Sequence, residues 1–150
     1  MRTPLNEDIA GTPQGTSISL QLLLNKLLKN LPRTIASNKI VIENEVSADF
    51  NVLANQDDVV PVIDEVLTTV VANARNTSIF ITAEKFIDII TLNFQDRNNY
   101  NGYALAFSLM SIGEQARCIG GDLNIEGAQK RVATVSFSFP DTVAGKRYNA

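Results

Sequence analysis

The strongest constraint on the fold is an alternation of helical and strand-like apolar periods along the chain, with no internal repeat. The run "SISLQLLLNKLLKNL" places Leu20, Leu23, Leu24, Leu27, Leu28 and Leu31 at helical spacing, and Pro32 is expected to stop it. "NKIVIENEV" (38–46) and "DFNVLAN" (49–55) read as two strands joined by a short turn near Ser47 and Ala48. A second helix follows, capped by Asp57 or Asp58, with Pro61 in its first turn and a stripe of Val59, Ile63, Val66, Val70 and Ala74. "SIFITAE" and "FIDIITLNF" read as strands turning near Glu84 and Lys85. A third helix from about Tyr103 to Ile119 buries Leu105, Leu109, Ile112, Ala116 and Ile119, and Gly120-Gly121 ends it. "DLNIEG" and "RVATVSFSF" close as a hairpin. The order α-β-β-α-β-β-α-β-β implies a two-layer α/β sandwich. It would have a mixed sheet of about five or six strands and three helices on one face.

Residues 17–140 are expected to form one domain, after a flexible lead-in (1–16) and before a loose tail (141–150). Composition narrows the function classes. A chain of 150 residues can bury a core, and 45% apolar and 19% charged residues are ordinary for a globular protein. A net charge of −3 gives no basic footprint for nucleic acid or an anionic membrane. No run is long enough to span a bilayer, no signal peptide is visible, and the single Cys118 fits a reducing, cytoplasmic setting. Cys118 beside Ile119 reads as a core thiol.

The chain has no histidine. That excludes Ser-His-Asp and Cys-His nucleophile systems and histidine zinc sites. Carboxylates, amides, lysine and backbone groups are left for chemistry. The carboxylate pairs Asp57-Asp58 and Asp64-Glu65 read as caps and solvated surface, since adjacent helical residues do not face each other. Lys130-Arg131 reads as a turn pair too small to imply a partner.

The order of elements resembles the ATP-binding domain of sensor histidine kinases, the GHKL or Bergerat fold shared with gyrase-type ATPases. The resemblance covers nearly everything from Ser17 to Pro140. "NVLANQDDVVPVIDEVLTTVVANAR" is similar to the strand and helix carrying that family's asparagine box, with Asn73-Ala74 at its second asparagine. "CIGGDLNIEG" and "VSFSFP" are similar to its late helix end, Gly-Gly turn and closing strands. The resemblance implies ATP and magnesium as cofactors, with Asn73 as the magnesium ligand. An amide oxygen suits a hard cation; Asn73 equally suits a helix-ending role. Asp96 of "DRNNY" falls on the acceptor of the adenine amino group in an Asp-x-Gly-x-Gly box, or is a solvated turn residue. Gly102 of "GYAL" is the candidate phosphate-loop glycine, or simple loop punctuation.

Four departures accompany these matches. Thr69 stands where the family carries Asn or a general-base Glu, and a hydroxyl cannot activate water near neutral pH. Asn98 and Tyr100 replace both adenine-box glycines. The usual spacing before Gly120 puts Ala106 and Ser108 at the phosphate-loop glycines. Nine residues separate Asp96 from Ala106, which leaves no room for the family's ATP lid. Losing two or three charge-assisted hydrogen bonds to phosphate, at roughly 1.5–3 kcal/mol each, weakens binding by about 3–9 kcal/mol. The expectation is a degenerate kinase-type ATPase domain in two-component-like bacterial signalling. It would act through contacts with itself, with a kinase or with a response regulator, and a homodimer through the leucine-rich first helix is one form of this. The alternative is a functional kinase module that phosphorylates a histidine on another chain.

Overall fold

In the computed structural model, residues 17–142 are described; the expected lead-in (1–16) and the tail from residue 143 lie outside them. The chain runs β1 (Ile18–Ser19), α1 (Leu20–Leu28), α2 (Pro32–Ser37), β2 (Ile40–Asn44), β3 (Asn51–Val52), α3 (Gln56–Ala72), β4 (Thr77–Phe86), β5 (Ile89–Asp96), α4 (Gly102–Ser108), α5 (Met110–Cys118), β6 (Asp122–Glu126) and β7 (Ala133–Pro140). Five strands form a mixed sheet in the order β2-β4-β5-β7-β6, and β1 pairs with β3 in a small ribbon. Only β2 and β4 run parallel, with Ile40 opposite Thr77 and Asn44 opposite Ile81. The expected sandwich is therefore present.

Period-two alternation decides which sheet face is covered. Ile79 and Ile81 of β4, Ile90, Leu92 and Phe94 of β5, and Val135, Phe137 and Phe139 of β7 are all buried. They meet Leu20 and Leu24 of α1, and Ile63, Val66, Leu67 and Val70 of α3. Phe137 and Phe139 add a tilted ring pair, 5.0 Å between centroids. The opposite sheet face carries hydroxyls and amides, among them a Ser136 Oγ bond to Asn93 Oδ1 at 2.6 Å.

Several expectations need correction. Segments 38–46 and 49–55 do not pair with each other. The open side of β2 is taken by β4, while β3 pairs with Ile18 and Ser19. Pro32 does not stop α1, which ends at Leu28; it opens α2, where a missing N–H costs nothing. Asn55, not Asp57 or Asp58, caps α3, its Oδ1 accepting from Asp57 N at 2.8 Å. Pro61 accordingly lies inside the helix rather than in its first turn. The third helix is two segments, with Leu109 between α4 and α5.

The β4–β5 turn sits at Ile87-Asp88, beyond Glu84-Lys85. Ile87 adopts φ 57, a left-handed conformation that costs a branched residue roughly 1–2 kcal/mol and that sequence rules steer against. Cys118 is exposed, not a core thiol. One residue along a helix turns the side chain by about 100°, so the partly buried Ile119 says nothing for its neighbour. The α1 leucines are largely buried or half-buried within this chain, and Leu22 is the exposed one. Asp141, expected to begin the loose tail, is buried and hydrogen-bonded to Leu53 and Ala54.

Candidate functional site

The three residues singled out from sequence are each held by their own partners, and no hydrogen bond joins one to another among the described residues. Asn73 is the C-cap of α3. Its backbone N–H and its Nδ2 both donate to the Thr69 carbonyl, at 3.1 and 2.9 Å, so the side chain closes the last helical turn. Its Oδ1 accepts no hydrogen bond among the described residues.

Four residues further on, Thr77 opens β4, and its Oγ1 donates to Asp96 Oδ1 at 2.6 Å. Asp96 ends β5 on the helix-covered face and is 4% exposed. The same Oδ1 accepts the Asn98 N–H at 3.0 Å, making a side-chain turn at the strand end. Asp96 is thus a turn residue, but a buried one rather than a solvated one. Thr77 went unnoticed in the sequence; the signal for it is a hydroxyl at a buried strand position beside the strand that ends in Asp96. Replacing Thr77 by valine leaves this carboxylate with one donor fewer. It is expected to lower stability by about 1–3 kcal/mol in urea denaturation; a loss below about 0.5 kcal/mol would show that water replaces the hydroxyl.

Between Asp96 and α4 lies a five-residue loop, 97–101. It is pinned on both flanks. Asn99 N–H donates to the Arg131 carbonyl at 2.7 Å, and Asn99 Nδ2 to the carbonyls of Ala128 and Lys130. Asn98 Nδ2 donates to the Asn76 carbonyl, and Arg75 Nε to the Tyr100 hydroxyl at 2.9 Å. Gly102, buried at the start of α4, sits against the Ala128 carbonyl: a Cβ there would lie 1.8 Å from that oxygen. Its glycine is therefore required by packing.

Helices on one face of a five-stranded mixed sheet in this order form a fold that superposes on solved proteins. Histidine kinase AdeS of Acinetobacter baumannii superposes with a TM-score of 0.70 at 12% identity, over 84% of this chain and 66% of that one. The catalytic domain of histidine kinase ThkA superposes with a TM-score of 0.66 at 17% identity, over 85% of this chain and 95% of that domain.

The chain has the fold of a histidine-kinase catalytic domain.

Full-length ShkA, solved in complex with AMPPNP, matches the same fold with a TM-score of 0.68 at 13% identity. The match covers 90% of this chain but only 32% of that protein. ThkA has also been solved in complex with the response regulator protein TrrA. No family model and no curated protein sequence matches the chain. No helix among the described residues is long and apolar enough to cross a membrane.

Proposed function

We propose that this kinase-type domain is a degenerate member of the fold. It would bind magnesium-ATP weakly or not at all and act in cytoplasmic, two-component-like signalling through protein contacts. The observation that carries the proposal is the loop 97–101, five residues held by backbone and amide hydrogen bonds where the resemblance implies a long mobile lid. A loop so short and so tied cannot fold over a nucleotide. The donor set points the same way. Asp96 Oδ1 is engaged by Thr77 and Asn98, which leaves Oδ2 alone to accept an adenine amino group. Asn73 offers magnesium one amide oxygen, which leaves the rest of its coordination to phosphates and water.

Protein contact is supported by the free side of α4 and α5. Tyr103, Phe107 and Met110 follow one another at helical spacing with 70%, 76% and 66% of their surface exposed. These are better placed than the α1 leucines to seat a second subunit, a kinase or a response regulator. With no histidine among these 150 residues, a histidine phosphoryl acceptor would lie outside them.

Thermal unfolding with and without millimolar magnesium-ATP tests the proposal. A ligand at about 100 times its Kd stabilises by about 2.7 kcal/mol, or roughly 5–10 °C for a domain of this size. The expected shift is about 1 °C or less. A rise of several degrees that disappears in Asn73→Ala would overturn the degenerate reading and favour the functional kinase module. Solution mass of the unliganded chain separates self-association from contact with a different protein.

A further inference from the structure

We infer that the sheet's outer face carries a binding cleft for a compact phosphate group, adjoining the nucleotide position discussed above at Thr77 and Asn98 but centred on Arg97 and Phe80. The cleft, of about 520 Å³, is lined by Lys39, Ser78, Phe80, Arg97, Asn98 and Arg131 among others, and none of its lining residues is a carboxylate. Ser78 and Phe80 alternate along β4 with the buried Thr77, Ile79 and Ile81, so the cleft opens on the face turned away from α3.

Its central group is already organised for an anion. The Arg97 guanidinium lies over the Phe80 ring, 3.7 Å from the centroid. Its Nε donates to Gln95 Oε1 at 2.8 Å. Stacking and this bond fix the plane of the fork, and the two terminal nitrogens have no acceptor among the described residues. A planar, held guanidinium is suited to bidentate recognition of phosphate. Lys39 and Arg131, brought from distant points in the chain, add two cations without acidic partners; the one ion pair among the described residues is Lys85–Asp141. Glu43, opposite Phe80 in the β2–β4 register, forms no ion pair with them.

Three cations around one small cleft, in a chain of net charge −3, suit a compact multiply charged anion. An extended polyanion does not fit, because the same face also exposes Glu84, Asp122 and Glu126. The ligand chemistry is a phosphate monoester or diphosphate, free or carried on a nucleotide.

The test is a titration of the isotope-labelled full chain with sodium pyrophosphate, and in parallel with magnesium-free ADP, followed by backbone and arginine Nε resonances. Saturable shifts are expected at Lys39, Ser78 and Arg97, which the nucleotide position does not share. Saturation by pyrophosphate marks the free group as sufficient; saturation by ADP alone marks a nucleotide-borne diphosphate. Arg97→Gln and Arg131→Gln should each weaken binding about tenfold or more, and Asn73→Ala should leave it unchanged. Both arginines are exposed, so the variants should fold, which their spectra check. Unsaturable shifts with both ligands, or wild-type affinity in both arginine variants, would overturn the inference. A shift that Asn73→Ala abolishes belongs to the nucleotide position instead, which keeps the two proposals separable.

Discussion

Asp141→Ala is expected to lower the unfolding free energy by about 2–5 kcal/mol, measured by urea denaturation. The side chain of Asp141 has no exposed surface, and its Oδ1 receives two backbone donors, Leu53 N at 2.6 Å and Ala54 N at 3.0 Å. Its Oδ2 receives Lys85 Nζ at 2.9 Å. The two kinds of partner are not equal. Lys85 is 41% exposed, so water screens the ion pair and the lysine is resolvated when the pair is lost; that part amounts to about 0–1 kcal/mol. The Leu53 and Ala54 amides precede the α3 cap and lie under the end of β7, and leaving each without an acceptor costs about 1–3 kcal/mol. Lys85→Ala should therefore cost less than about 1 kcal/mol. If the lysine variant lost as much as the aspartate variant, the ion pair rather than the amides would be the main contact. Asp141→Asn, which keeps an acceptor oxygen, should recover part of the loss.

That lock shows which parts of the fold can be read from residues in order. Stripes are local: Val59, Ile63, Val66 and Val70 were placed on one side of a helix by spacing alone and are buried there, and Ala74 is buried just past the cap. The closing hairpin, with Asp122 opposite Ser138 and Glu126 opposite Thr134, follows from two alternating runs and a short connection. Gly120 ends the helix at φ 82, as a glycine after a last turn does. Pairings between distant segments are another matter. Nothing in "NKIVIENEV" says that it will run parallel to β4 rather than fold back on the next strand, because Ile40 and the half-buried Ile42 share one face of the strand in either pairing.

The candidate site divides in the same way. Asn73, Asp96 and Gly102 were each picked out with two possible roles, and partners remote in sequence decide between structural arrangements. Asp96 is buried because Thr77, nineteen residues earlier, meets it across the β4–β5 pair. Asn73 is held by its own helix. Lys130-Arg131 reads as an isolated pair until the pairing of β2, β4 and β5 brings Lys39 and Arg97 to the same cleft as Arg131. Charges that converge only through the sheet leave no cluster in the linear sequence.

Gly102→Ala is expected to destabilise the domain by about 3 kcal/mol or more, because the new methyl group meets backbone rather than a side chain that can swing away. The nearest atoms to its Cβ are the Ala128 carbonyl oxygen at 1.8 Å, that carbonyl's carbon at 2.6 Å and Asn99 Nδ2 at 2.8 Å. Relief requires α4 to move off the 127–130 turn, and Asn99 anchors that turn through the carbonyls of Ala128 and Lys130. Gly113 supplies the control. It lies inside α5, and its Cβ would meet only the Arg117 guanidinium at 3.5 Å. Removing the conformational freedom of a helical glycine should stabilise the protein there by roughly 0.5–1 kcal/mol. Opposite signs for these two Gly→Ala changes, measured without any nucleotide, would show that the demand at Gly102 is steric. Equal, small effects would mean that the α4 start can shift away from Ala128, and the glycine would then need an explanation in ligand binding. The two outcomes differ by several kcal/mol, far outside the error of a denaturation curve.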